Sequence, residues 1–155
     1  MHSTTLSSHI KVMDKRYLKS IRLLAECMQV FEKQSSARVR SFGFTESQFD
    51  IIATLGNTAG MTCKELGEKT LITKGTLTGV LDRLITKGLI VRVQGDEDRR
   101  QFVVKLTATG EQTFADIFPQ VIQLGRQRFA NYAEEDFLAL ERELTKLKKC
   151  LSDPL

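Results

Sequence analysis

Residues 62–88 read TCKELGEKTLITKGTLTGVLDRLITKG, a pattern that predicts two helices joined by a tight turn. Thr62 and Glu65 form a capping box, which predicts the start of a short first helix. Thr73 begins the second helix, and Gly88 is a typical C-terminal signal. With about 3.6 residues per turn, one side of the second helix is apolar and carries Leu77, Val80, Leu81 and Leu84.

Two β-rich runs follow this helix pair, at residues 89–93 and 102–106, and the polar residues 94–100 between them predict a hairpin. Upstream, residues 45–48 form another capping box, which opens a helix that stops at Gly56. The order of helix, helix, turn, helix and hairpin is that of a winged helix-turn-helix, whose second paired helix enters the DNA major groove. We therefore expect a mainly α fold with a small β-hairpin wing.

Long amphipathic helices are predicted at both ends of the chain. Apolar residues are spaced three or four apart over residues 10–31 and again over 137–151, and Thr107 caps a further long helix that contains Pro119. Such stripes can be buried within one monomer, but a small winged domain has little surface to cover both, so we expect a homodimer. The predicted organisation is one domain with three parts, namely an N-terminal dimerisation helix (1–44), a winged helix-turn-helix DNA-binding region (45–106) and C-terminal dimerisation helices (107–155).

The composition agrees with a single soluble domain, since the 155 residues are 41% hydrophobic and 27% charged. No stretch approaches the roughly 18 apolar residues of a membrane span, and residues 1–10 lack the apolar core of a signal peptide. We therefore expect a cytoplasmic protein with no membrane partner.

Basic residues are concentrated in two segments of a chain whose net charge is +4. Residues 1–44 carry eight Lys or Arg against three acidic residues, and residues 60–105 carry nine against six. This distribution favours a polyanionic partner, although a solvated helix face has the same composition.

No catalytic site can be assembled from the sequence. His2 and His9 lie at the start of the chain, and no nucleophile has a recognisable base or glycine-rich elbow. The three cysteines are odd in number and lack CxxC spacing, which predicts neither disulfides nor a zinc cluster. We expect no enzymatic activity, no cofactor and no metal.

The outer side of the second paired helix carries features that suit DNA. Gly75 and Gly79 lie one turn apart, and each costs about 1 kcal/mol relative to alanine, a cost explained if another surface approaches the backbone closely. That surface is either a DNA groove or a neighbouring helix. Thr76 and Thr78 offer hydroxyl groups, and Lys74 lies at the helix N-terminus, where phosphate is favoured.

The hairpin tip places Arg99 and Arg100 on an exposed turn. Arginine at a wing tip can enter the minor groove of A·T-rich DNA. Three acidic residues, at positions 96–98, precede them, so a plain solvated turn is the alternative.

The ordered series of motifs resembles the MarR family of bacterial transcription regulators. It comprises TLTGVLDRL at 76–84, KGLIVR at 87–92, DRR at 98–100 and LTATG at 106–110, and the segment 48–52 and the flanking helices extend it to nearly the whole chain. The resemblance implies a dimeric winged helix-turn-helix repressor with a palindromic operator. It places Lys74, Thr76, Thr78 and Arg83 on the groove helix and Arg99 and Arg100 on the wing. With the two glycines, the predicted DNA-binding residues are Lys74, Gly75, Thr76, Thr78, Gly79, Arg83, Arg99 and Arg100.

Many members of that family release DNA when a small phenolic or lipophilic acid, or an oxidant, acts where the dimerisation and DNA-binding regions meet. A pocket of this kind would lie between the first helix, the helix that begins after Thr45 and the helix capped by Thr107. Its candidate lining is Met13, Arg16, Tyr17, Phe49 and Phe114. Arg16 would meet a carboxylate, while ordinary core residues and a surface arginine are the alternative.

Two cysteines are candidates for a redox role. The Glu26 carboxylate beside Cys27 disfavours the thiolate, which favours a structural role, whereas Lys148 and Lys149 before Cys150 favour the thiolate. The predicted function is a sequence-specific DNA-binding transcriptional regulator, a repressor released from a palindromic operator by a small-molecule effector. A thiol-based redox-sensing repressor and a winged-helix module that binds protein are the alternatives.

Overall fold

A computed structural model describes residues 15–95 and 101–154 of the chain. It is mainly helical with one small sheet. In chain order the elements are α1 (Arg16–Ser41), α2 (Glu46–Leu55), β1 (Met61–Thr62), α3 (Cys63–Thr70), α4 (Lys74–Thr86), β2 (Ile90–Gln94), β3 (Phe102–Leu106), α5 (Ala108–Arg128) and α6 (Glu134–Ser152).

The chain divides into two compact units, Met1–Phe114 and Ala115–Leu155. The first contains the winged helix-turn-helix and its core. Helices α2, α3 and α4 pack with the sheet, and each fully buried leucine or isoleucine contributes about 1.5–3 kcal/mol. The largest fully buried side chains are Ile51, Leu55, Leu66, Leu81, Leu84, Ile90 and Val104.

The predicted hairpin is confirmed, and the sheet has one strand more than the sequence indicated. Strands β2 and β3 pair antiparallel with Ile90 opposite Leu106 and Gln94 opposite Phe102. The two-residue strand β1 adds to the other side of β3, with Met61 opposite Val104. A strand of two residues has no periodicity of its own, so only the long-range pairing reveals it.

Both predicted capping boxes are present. The Gln48 N–H donates to Thr45 Oγ1 at 3.2 Å, and the Thr45 N–H donates to Gln48 Oε1 at 3.1 Å. At the start of α3, the Glu65 N–H donates to Thr62 Oγ1 at 3.2 Å, and the Thr62 N–H donates to the Glu65 carboxylate at 2.8 Å. This backbone donor lowers the pKa of Glu65, because it stabilises the charged carboxylate.

The first helix differs from its predicted extent. It begins at Arg16 in the described residues and continues to Ser41, beyond the predicted end of the stripe at residue 31. Its buried residue is Val39, near the C-terminal end, while Tyr17, Met28 and Phe31 are exposed in the single chain.

The second unit contains most of α5 and all of α6. Pro119 lies inside α5, which continues on both sides of it, so the helix is not broken there. An aromatic cluster joins the two helices, because the rings of Phe129, Tyr132 and Phe137 meet edge to face at centroid distances of 4.7–6.2 Å. Helix α6 has no buried residue in the single chain. Among the described residues, no helix has the length and apolar character needed to cross a bilayer.

Candidate nucleic-acid interface

Helix α4 has the two sides that the sequence predicted. Its apolar residues Leu77, Val80, Leu81 and Leu84 are at most 4% exposed and belong to the core of the first unit. The opposite side faces solvent. Of the predicted DNA-binding residues on this helix, Gly79 is half-buried, and Lys74, Gly75, Thr76, Thr78 and Arg83 are exposed.

The two glycines of α4 have free space above them. Within the described part of the chain, nothing from another element lies within 4 Å of a Cβ built on Gly75, and at Gly79 the nearest atom is Arg83 Nη2 at 3.9 Å. By contrast, a Cβ on Gly56 would overlap the Phe114 ring, and one on Gly110 would overlap the Leu89 carbonyl. Packing within the described chain therefore explains the last two glycines and leaves the first two available for close approach by another molecule.

Helix α4 begins where the sequence predicted, with Thr73 at the N-cap position. The Thr73 side chain does not cap the helix, and its hydroxyl instead bonds to the Thr76 hydroxyl at 3.1 Å. Backbone amides at a helix start carry partial positive charge. Together with the Lys74 ammonium, they make this end of α4 suitable for a phosphate.

A link between the wing and the groove helix was not predicted from the sequence. Arg92 on β2 donates to the Asp82 carboxylate on the exposed side of α4 at 3.2 Å. Both side chains are solvent-accessible, so the pair contributes at most about 1 kcal/mol. It links the wing strand directly to the exposed side of α4. At the tip, the Gly95 N–H donates to the Gln101 carbonyl at 2.8 Å, while Arg99 and Arg100 lie outside the described residues.

The predicted effector-pocket residues are not brought together in the described single chain. Phe114 is buried, and its ring lies against Gly56. Phe49, a residue of α2, is half-buried. Arg16 and Tyr17 are exposed at the start of α1, roughly 35 Å along that helix from Val39 at about 1.5 Å per residue. Met13 lies outside the described residues.

An open depression of about 380 Å³ lies elsewhere, at the end of α1 and the start of α2. The described residues that line it are Ser36, Arg40, Thr45, Glu46 and Ser47. No sequence pattern predicted this depression, because it forms where two helices meet.

All three cysteines, Cys27, Cys63 and Cys150, are exposed in the single chain. The Glu26 carboxylate beside Cys27 accepts a hydrogen bond from Arg22 Nε at 3.0 Å.

The chain is similar to known transcription regulators. The MarR family model matches residues 44–102. The HTH-type transcriptional regulator FarR of Neisseria gonorrhoeae is 31% identical over 116 residues, which cover 70% of this chain and 76% of that protein. A solved MarR family regulator from Neisseria meningitidis is 26% identical, with a TM-score of 0.70 and coverage of 89% of this chain and 93% of that one. The solved complex of NadR with 4-hydroxyphenylacetate is 27% identical, with a TM-score of 0.69 and coverage of 80% and 88%.

Proposed function

Since the chain belongs to the MarR family of transcriptional regulators, we propose that it represses transcription by occupying a palindromic operator as a homodimer. The observation that carries this proposal is the outer side of α4, where Gly75 and Gly79 have no atom of another described element within 4 Å of an added Cβ. A helix with a flat, hydroxyl-bearing face of this kind suits the major groove. Lys74, Thr76, Thr78 and Arg83 contact phosphates and bases there.

The wing supplies a second contact. Readout is therefore divided between base edges in the major groove and groove shape at the wing.

Dimerisation is supported by apolar residues that the single chain leaves exposed. On α1, Tyr17 is 62% exposed, and Met28 and Phe31 are also exposed, while α6 buries no residue at all. We assign residues 1–44 and 107–155 to dimerisation and residues 45–106 to DNA binding. A two-fold dimer presents two groove helices, which explains why the operator is a palindrome.

Release from DNA follows binding of a small aromatic acid. The support is the similarity to NadR, which was solved with 4-hydroxyphenylacetate. Met13, Arg16, Tyr17, Phe49 and Phe114 remain the candidate lining, with the Arg16 guanidinium opposite the acid. The described single chain does not bring Arg16 and Tyr17 together with Phe49 and Phe114, so the proposed site is completed by dimerisation.

Selection of binding sites from a random duplex pool, followed by titration over a range of salt concentrations, tests the proposal. We expect a palindromic site and a logarithmic salt slope of about −0.9 for each phosphate contacted. Arg99→Ala and Arg100→Ala should each flatten that slope. The free energy of unfolding should change by about 0.5 kcal/mol or less. A pool without an enriched sequence, or a shallow salt dependence, would contradict the proposal.

A further inference from the structure

The C-terminal end of α4 is hydrogen-bonded to two other parts of the first unit through adjacent residues. Lys87 Nζ donates to the Gly43 carbonyl at 3.0 Å, just after the end of α1. The Thr107 hydroxyl donates to the Gly88 carbonyl at 2.6 Å, just before the start of α5. The groove helix therefore ends at a junction with both of the long helices that flank the winged region.

The Lys87 ammonium has specific surroundings at this junction. It lies at the C-terminal end of α1, where the helix dipole is negative and favours a cation. Its Nζ is also 4.9 Å from the centre of the Phe44 ring, and Phe44 is buried. Gly43 has a φ of +82°, a left-handed conformation that glycine adopts readily.

We propose that Lys87 is a positioning residue, which holds the groove helix at a fixed orientation to the end of α1. Lys87 follows the last residue of α4, at the end opposite Lys74 and roughly 20 Å from it at about 1.5 Å per residue. A displacement of α1, whose far end carries the proposed dimer contacts, therefore reaches α4 through the Lys87 side chain as well as through α2, which packs against both helices. The part of this inference that concerns operator binding rests on the proposed function.

A pair of substitutions separates positioning from a direct phosphate contact. Lys87→Met keeps most of the length of the side chain and removes its charge and donor, whereas Lys87→Arg retains both. We expect the Met variant to bind operator about two- to tenfold more weakly, the usual effect of one lost hydrogen bond, with the salt slope unchanged. The Arg variant should bind like the wild type. A slope that flattens by about 0.9 in the Met variant would show instead that Lys87 contacts a phosphate.

A second measurement uses the DNA-free protein. The amides of Phe42, Gly43 and Phe44 donate to carbonyls of α1, so their hydrogen exchange reports the state of this helix end. We expect faster exchange there in Lys87→Met and wild-type exchange in Lys87→Arg. Lys146→Met, at an exposed lysine on the polar side of α6, is the matched control and should change neither exchange nor affinity.

These results separate the two proposals. If wild-type protein binds no duplex but the exchange at residues 42–44 responds to Lys87→Met, the proposed function fails and the positioning role stands. If operator binding is normal in Lys87→Met, or if exchange at residues 42–44 is unchanged, the positioning role is overturned.

Discussion

The winged region and the terminal helices differ in how far the single chain buries their apolar side chains. Between residues 45 and 106, helical apolar side chains such as Leu66, Leu81 and Leu84 are fully buried by the chain itself. On α1 and α6, most apolar side chains at the same helical spacing stay exposed, among them Met28, Phe31 and Leu144. The same periodicity therefore has two outcomes. It specifies a core where several elements converge, and it leaves a surface for association where one helix extends alone.

The largest expected effect concerns the exposed side of α4. Gly79→Glu should reduce specific operator binding to the non-specific level, a loss of about a thousandfold or more. The side chain would occupy the space of close approach, and its carboxylate would repel phosphate. Stability should hold or rise slightly, because glutamate is the better helix former.

Operator titration and thermal unfolding on the same preparation check this expectation, with Gly79→Ala as the smaller substitution. A Gly79→Glu variant that unfolds, or one that binds normally, would mean that this side of α4 does not approach DNA.

The second prediction tests the core of the first unit. Gly110→Ala should destabilise the protein by about 3 kcal/mol, the upper range for overpacking, because the added methyl overlaps the Leu89 carbonyl, a backbone atom. Gly125→Ala on the same helix is the matched control, since nothing described lies within 4 Å of its Cβ position. It should stabilise by up to about 1 kcal/mol. If the two variants unfolded at the same denaturant concentration, the expected difference in stability between them would be contradicted.

A third substitution tests the terminal helices. Leu144 is exposed on α6 in the apolar series of residues 137–151. Leu144→Asp should weaken the dimer by about 2 kcal/mol per protomer, the value of one buried leucine, and leave the helix content unchanged. Sedimentation at micromolar concentration measures the change, and Lys146→Asp on the polar side is its control. If the dimer survives the substitution, or if the wild type is a monomer, α6 is not the interface.

The smallest effect concerns the turn between α3 and α4. Leu71 has a φ of +56° and is 87% exposed, so its side chain gains little from burial while its backbone is strained. Leu71→Asn should stabilise the fold by about 1 kcal/mol, because asparagine tolerates the left-handed conformation. Leu138→Asn, at an exposed leucine within α6, should instead lower stability slightly. Thermal unfolding distinguishes the two, and a lower midpoint for Leu71→Asn would show that the leucine side chain makes a stabilising contact.

Features that depend on neighbouring residues were predictable from the sequence. The capping boxes at Thr45 and Thr62 and the buried side of α4 depend on residues three or four apart, and each is confirmed. The third strand, the Arg92–Asp82 pair and the Lys87–Gly43 hydrogen bond depend on residues from 10 to 44 positions apart. The two side-chain contacts use Arg, Asp and Lys, which are common on any surface, and the strand pairing uses backbone groups that nearly every residue carries. No local pattern distinguishes such a residue before the chain is folded.

The close contact between Gly56 and Phe114 also affects the order of events during protein synthesis. The Phe114 ring covers a glycine made 58 residues earlier, and Gly110 lies against the Leu89 carbonyl. The ribosome therefore has to release the first two turns of α5 before the winged region can close its core. Until then the nascent chain exposes the surface that Phe114 later covers, so α5 completes the domain that precedes it in translation.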